Sequence, residues 1–112
     1  ATLAMVHGAA LCESEQLPLA QYFQTVKAFA PLLRATADTA RNMIDRESYT
    51  GVDCTLDTHI AALRHIQRLT HDNNVDTRLP DTLMAAYKKA AAAGYSDEEI
   101  AAVFEVLRKP PD

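Results

Sequence analysis

A chain of 112 residues with a formal charge of −4 has the size of one domain, long enough to bury a core without disulfide or metal staples. Its lysines and arginines are scattered, which excludes the basic stripe of a nucleic-acid binder, and no apolar run is long enough to span a bilayer. Apolar residues make up 48% of the chain, alanine is abundant and only 3 residues are glycine, a balance that favours helices because alanine loses no side-chain entropy in one. No signal-peptide pattern is evident, so the expected location is cytoplasmic, where Cys12 and Cys54, far apart in sequence, are more often two free thiols than a disulfide, though spacing alone leaves both open. The chain starts helix-like at Ala1-Thr2-Leu3-Ala4-Met5 without an initiator methionine, as expected of a fragment whose first helix is cut on its N-terminal side.

The first predicted helix runs from about Thr2 to Gln16, with Leu3, Val6, Ala10 and Leu11 at helical spacing and a solvated stretch at Glu13–Glu15. Pro18 breaks it and opens a second helix to about Ala30, with Leu19, Phe23, Val26 and Ala30 on one face. Pro31 suits the first position of a third helix, which carries Leu32, Leu33, Ala37, Ala40 and Ile44 and reaches about Asp45. Arg46 to Cys54 reads as a loop, because Ser48, Gly51 and Asp53 are turn formers and β-branched Thr50 and Val52 do not extend the helical period. A fourth helix, capped by Asp53 or Thr55, spans about Leu56 to Asn73, with Leu56, Ile60, Leu63, Ile66 and Leu69 as its core stripe. A fifth begins near Pro80 and ends at Gly94. Ser96-Asp97-Glu98-Glu99 has the spacing of a capping box, in which the Ser96 hydroxyl accepts from the Glu99 N–H and the Glu99 side chain reaches back. A sixth helix then presents Ile100, Val103, Phe104 and Leu107, and Lys109-Pro110-Pro111 stops it. The fold class predicted is an all-α bundle of about six helices, with no strand pattern and no repeat.

Little in the chain carries chemistry on its own. His59, His65 and His71 are spaced by six residues and cannot share a helical face, so a metal site is not expected. His65 and His71 read as solvated, and His7 as a packed or interface histidine. Glu13 and Glu15 read as a solvated helix end, the 97–99 acids are accounted for by capping, and Cys12 reads as a buried, inert thiol. The only glycines are Gly8, Gly51 and Gly94, so a glycine-rich phosphate loop is missing and no cofactor-binding residue is assigned. His59 sits beside an apolar stripe at a helix start. With Leu56 three residues before it, it offers one polar group among apolar ones, the make-up of a small-molecule pocket.

The order of these pieces resembles a known family. Leu79-Pro80, then Ala90-Ala91-Ala92-Ala93-Gly94-Tyr95-Ser96-Asp97-Glu98-Glu99-Ile100, then Val103-Phe104-Glu105-Val106-Leu107 resembles the end of the β-hydroxyacid (3-hydroxyisobutyrate dehydrogenase-like) dehydrogenase superfamily. Asp45-Arg46-Glu47-Ser48-Tyr49, Ala62-Leu63-Arg64-His65-Ile66 and Val75-Asp76-Thr77-Arg78-Leu79-Pro80 resemble its imine reductase branch. His7 to Leu17 is similar to the last part of that family's long interdomain helix, and Tyr95-Ser96 departs from a more usual His-Gly pair.

The resemblance implies a helical C-terminal domain like that of 6-phosphogluconate dehydrogenase. It would follow a Rossmann domain, absent from this chain, that binds NADPH. It also implies an intertwined homodimer, with each active site between one chain's Rossmann domain and the other's helical domain, and hydride transfer to a C=N or C=O carbon of a small-molecule substrate. The family's proton donor lies earlier on the interdomain helix. By this geometry and by residue pattern the expected substrate-binding residues are Leu32, Leu56, Asp57 and His59, while the chain by itself binds no cofactor. The contrasting expectation is a stand-alone helical interaction module without catalytic activity.

Overall fold

The computed structural model describes residues 1–51 and 53–110; Val52 and Pro111, invoked above as loop former and helix stop, lie outside the described residues. The described chain forms six α-helices: α1 (Thr2–Ser14), α2 (Leu19–Ala28), α3 (Ala30–Arg46), α4 (Leu56–Asp72), α5 (Arg78–Ala90) and α6 (Val103–Leu107). A wide turn over Ala91–Tyr95 follows α5, and a tight turn at Ile100–Ala102 leads into α6. Among the described residues extended pairing is limited to one isolated antiparallel bridge, Thr55 with Glu99.

Local chemistry explains most boundaries. Gln16, Glu47 and Asn74 take the left-handed conformation just beyond α1, α3 and α4, and Gly94 does so at φ 102° in the wide turn. Pro18, extended, precedes α2, and Thr55 caps α4 by accepting the Thr58 N–H at 3.3 Å. The start of α5 differs from the expected one. Pro80 occupies its third position, and the Asp76 carboxylate caps the helix by accepting the Arg78 N–H at 2.9 Å and the guanidinium at 2.7–3.1 Å. Those bonds to Arg78 hold the Asp76 carboxyl down at about 2.

The expected capping box does not form. The Glu99 N–H donates to the Tyr49 carbonyl at 2.9 Å, and the Glu99 carboxylate accepts from the Asp53 and Cys54 N–H groups. Ser96, just past the turn, has helical backbone angles in place of the extended ones an N-cap usually takes. The tight turn at Ile100–Ala102 also shifts the helical phase. Val103 and Val106 are therefore the buried pair on α6, and Leu107, expected on the apolar face, is exposed.

The core is unevenly distributed. Leu56, Ile60 and Leu63 of α4 close against Met84 and Ala90 of α5 and Val103 and Val106 of α6. A smaller cluster joins Met43 of α3 to Tyr49 and Ala102. The expected α4 stripe stops short, since Ile66 and Leu69 are exposed. No described residue of α1 or α2 is buried, and α3 buries only Met43. Leu3 is 66% exposed, Leu33 71% and Leu32 58%, and Val6, Leu17 and Phe29 are also open. α1 rests on α2 at one close approach, where Tyr22 crosses Gly8 and its hydroxyl donates to the Met5 carbonyl at 2.7 Å.

Candidate functional site

α3, the loop after it and the approach to α6 enclose a cleft of about 580 Å³. Leu32, Thr36 and Met43 line it from α3, Asp53 and Cys54 from the loop, His59 from α4, and Glu99 and Ile100 from the opposite side. Its walls are mainly aliphatic, with one imidazole and two acids, Asp53 and Glu99; Glu99, at the rim of the core, is 9% exposed. Such a lining suits a small organic molecule oriented by a few polar groups.

Other cavities lie elsewhere, and two hold titratable groups of note. A groove of about 540 Å³ runs between α1 and the start of α5, lined by Leu3, Val6, His7, Ala10, Val75 and Leu79 among others. The His7 Nε2 is buried and has no hydrogen-bond partner. A polar hollow of about 440 Å³ holds Glu47, Tyr49, Tyr95, Glu98 and Glu105. There the Tyr49 hydroxyl donates to Glu105 Oε2 at 2.6 Å, and burial together with that bond pushes the phenol up to about 12.

Of the residues expected to meet a substrate, Leu32 and His59 do line one cleft. Leu56 has no exposed surface and belongs to the core. Asp57 is exposed, its N–H donating to the Ser96 carbonyl at 3.1 Å, and it does not line the cleft. Sequence reasoning missed Met43, Cys54, Glu99 and Ile100. Glu99 was absorbed into a local cap, and no local signal marks the loop as its partner. Cys12 is half-buried rather than buried, and both cysteines are free. Among the described residues no group of histidines, cysteines and carboxylates could hold a metal, and no helix is long and apolar enough to cross a membrane.

Fold and cleft together define an all-helical domain with an open, largely aliphatic cleft and, among the described residues, no glycine-rich loop. Residues 1–109 match the family model of the NADPH-dependent reductive aminase-like C-terminal domain, and the chain belongs to that family. No curated protein matches the sequence. Solved structures agree in fold. An imine reductase from Bacillus cereus superposes with a TM-score of 0.91 at 16% identity over 97% of this chain. One from Pseudomonas sp. gives 0.90 at 20% identity over 96%. A reductive aminase from Aspergillus terreus, in complex with NADPH4, cyclohexanone and allyl amine, gives 0.88 at 17% identity over 96%. The chain spans only 37–38% of the length of these structures.

Proposed function

We propose that this chain is the dimerisation and substrate-pocket domain of an NADPH-dependent imine reductase or reductive aminase, an enzyme that transfers hydride to the carbon of a C=N or C=O bond. The observation that carries the reading is the family match along nearly the whole chain, in a fold with a largely aliphatic cleft of about 580 Å³ that holds a single histidine. The described residues show none of the glycine pattern that holds a dinucleotide's pyrophosphate. Gly8 lies inside α1, Gly51 in a loop and Gly94 in a turn, and none stands between a strand and a helix, where a pyrophosphate would be held. NADPH is therefore assigned to a preceding Rossmann domain, and none to this chain alone.

In this reading Leu32 and His59 meet the substrate. Leu32 contributes apolar surface and His59 a group able to donate or accept a hydrogen bond beside the reacting carbon. Leu56 supports the wall from beneath. A second copy covers the open faces of α1 to α3, making a homodimer with the substrate at the junction of two domains. The open faces would also suit a helical interaction module, which predicts no turnover. The test is steady-state kinetics of the full-length protein with NADPH, cyclohexanone and allylamine. His59→Ala is expected to raise KM or lower kcat by at least about ten-fold, the worth of one lost polar contact of 1.4 kcal/mol. Unchanged kcat and KM would remove the cleft from the reaction, and absence of any NADPH consumption by the wild type would favour the interaction module.

A further inference from the structure

We propose that Glu99 is a positioning residue whose buried carboxylate holds the 49–55 loop in the shape that forms one wall of the cleft; the role in catalysis rests on the reading of that cleft as the substrate pocket. The Glu99 Oε1 accepts the Asp53 N–H at 2.9 Å, and both carboxylate oxygens lie 3.3–3.4 Å from the Cys54 nitrogen. The residue's own N–H donates to the Tyr49 carbonyl at 2.9 Å, so one glutamate grips the loop at both ends. Between these grips the chain passes so close to the carboxyl group that a Cβ on Gly51 would overlap it. Tyr49, Gly51, Asp53 and Cys54 are therefore gathered around the acid, and glycine is required at the point of nearest approach for space.

Immediately beyond, the Leu56 N–H donates to the Glu98 carbonyl at 2.8 Å, which anchors the first turn of α4, and His59 lies at the end of that turn. Cys54 and His59 on one side and Glu99 and Ile100 on the other thus face the same cleft because the carboxylate ties the two segments together. A carboxylate this buried is stable only while hydrogen-bond donors replace its water, and here the donors are main-chain groups of the loop itself. Losing the acid frees the loop, and displacing the loop strands the acid.

Two variants of the full-length protein test this from opposite sides. Glu99→Gln keeps the shape but turns an acceptor oxygen into an amide nitrogen facing the Cys54 N–H. Gly51→Ala keeps the acid and places a methyl group against it. Alkylation by iodoacetamide, read by mass spectrometry at Cys54 and at Cys12, reports the loop directly, with Cys12 as reference for the rest of the domain. Either variant is expected to speed modification of Cys54 by at least about ten-fold, the factor that a lost hydrogen bond to a charged acceptor commands, and to leave Cys12 unchanged. The same variants should raise KM for the ketone–amine pair while kcat is largely kept. Unaltered Cys54 rates, or equal acceleration of both cysteines through general unfolding, would overturn the proposal. Faster Cys54 modification with unaltered kinetics would uphold Glu99 as the tie of the loop and overturn its part in substrate binding. If Glu99→Gln does not fold, Gly51→Ala alone decides between these outcomes.

Discussion

Leu56 and His59 are three residues apart on α4, and that spacing suggested a shared role. Three steps turn a helix by 300°, so His59 lies roughly 60° to one side of Leu56, while Ile60 and Leu63 continue the line of Leu56 into the core. The two residues are adjacent yet divided by the edge of the core. Leu56→Ala is accordingly expected to cost about 2–5 kcal/mol of stability, the usual penalty for an emptied core position, with little change in KM at a temperature where the protein stays folded. Denaturant titration and kinetics on one sample would check both parts, and a raised KM at wild-type stability would contradict them. Tyr49 carries a second expectation. Its phenol holds its proton more tightly in the folded state, at about 12 against an ordinary 10.0, chiefly through burial and then through Glu105. Its contribution to stability is therefore complete below 10.0 and lost as pH rises through the folded value. Thermal melts should fall over that window in the wild type and fall less steeply in Tyr49→Phe; parallel curves would refute the linkage.

At the scale of elements, the contact of α1 with α2 reverses an ordinary rule. Replacing a mid-helix glycine by alanine stabilises by about 0.5–1 kcal/mol on propensity alone. At Gly8 the new Cβ would stand 2.9 Å from Tyr22 Cζ and nearer still to the hydroxyl. Gly8→Ala is thus expected to destabilise, by about 1–3 kcal/mol as overpacked sites do, and Tyr22→Phe in the same chain should recover part of the loss. A stabilised Gly8→Ala would disprove the close approach. Helix boundaries were legible wherever the deciding chemistry is local: Pro18, Thr55, Asn74 and Gly94 act within a few residues of themselves. The Ser96 box was misread because its acid had a better offer from a loop 46 residues away, and the period of the pattern carries no information about such a partner. The same limit hid Glu99 and Met43 from the lining of the cleft, whereas His59, expected from its place beside the α4 stripe, and Leu32, expected at the start of α3, both line it.

For the molecule as a whole, the helical class was readable from periodicity and the particular domain from the order of its segments. How completely each stripe is covered was not, because a pattern says which face is apolar and not what lies on it. Leu3 and Val6 on α1, with Phe29, Leu32 and Leu33 around the start of α3, leave more apolar surface open than a lone globular chain commonly tolerates. Sedimentation of the full-length protein is expected to give a dimer, and Leu3→Asp with Val6→Asp to shift it toward monomer; a wild-type monomer at high micromolar concentration would count against the arrangement. The closed core, meanwhile, lies in α4 to α6, the edge of α3, Tyr49 of the loop after it and Ala102 of the tight turn. In a separated protomer the backbone amides would consequently exchange with deuterated solvent in two waves, early from α1 and α2 and late from α4 and α5. In the proposed dimer, raising the protein concentration would slow only the first wave, so that the persistence of these two helices becomes a property of the population and not of the single chain.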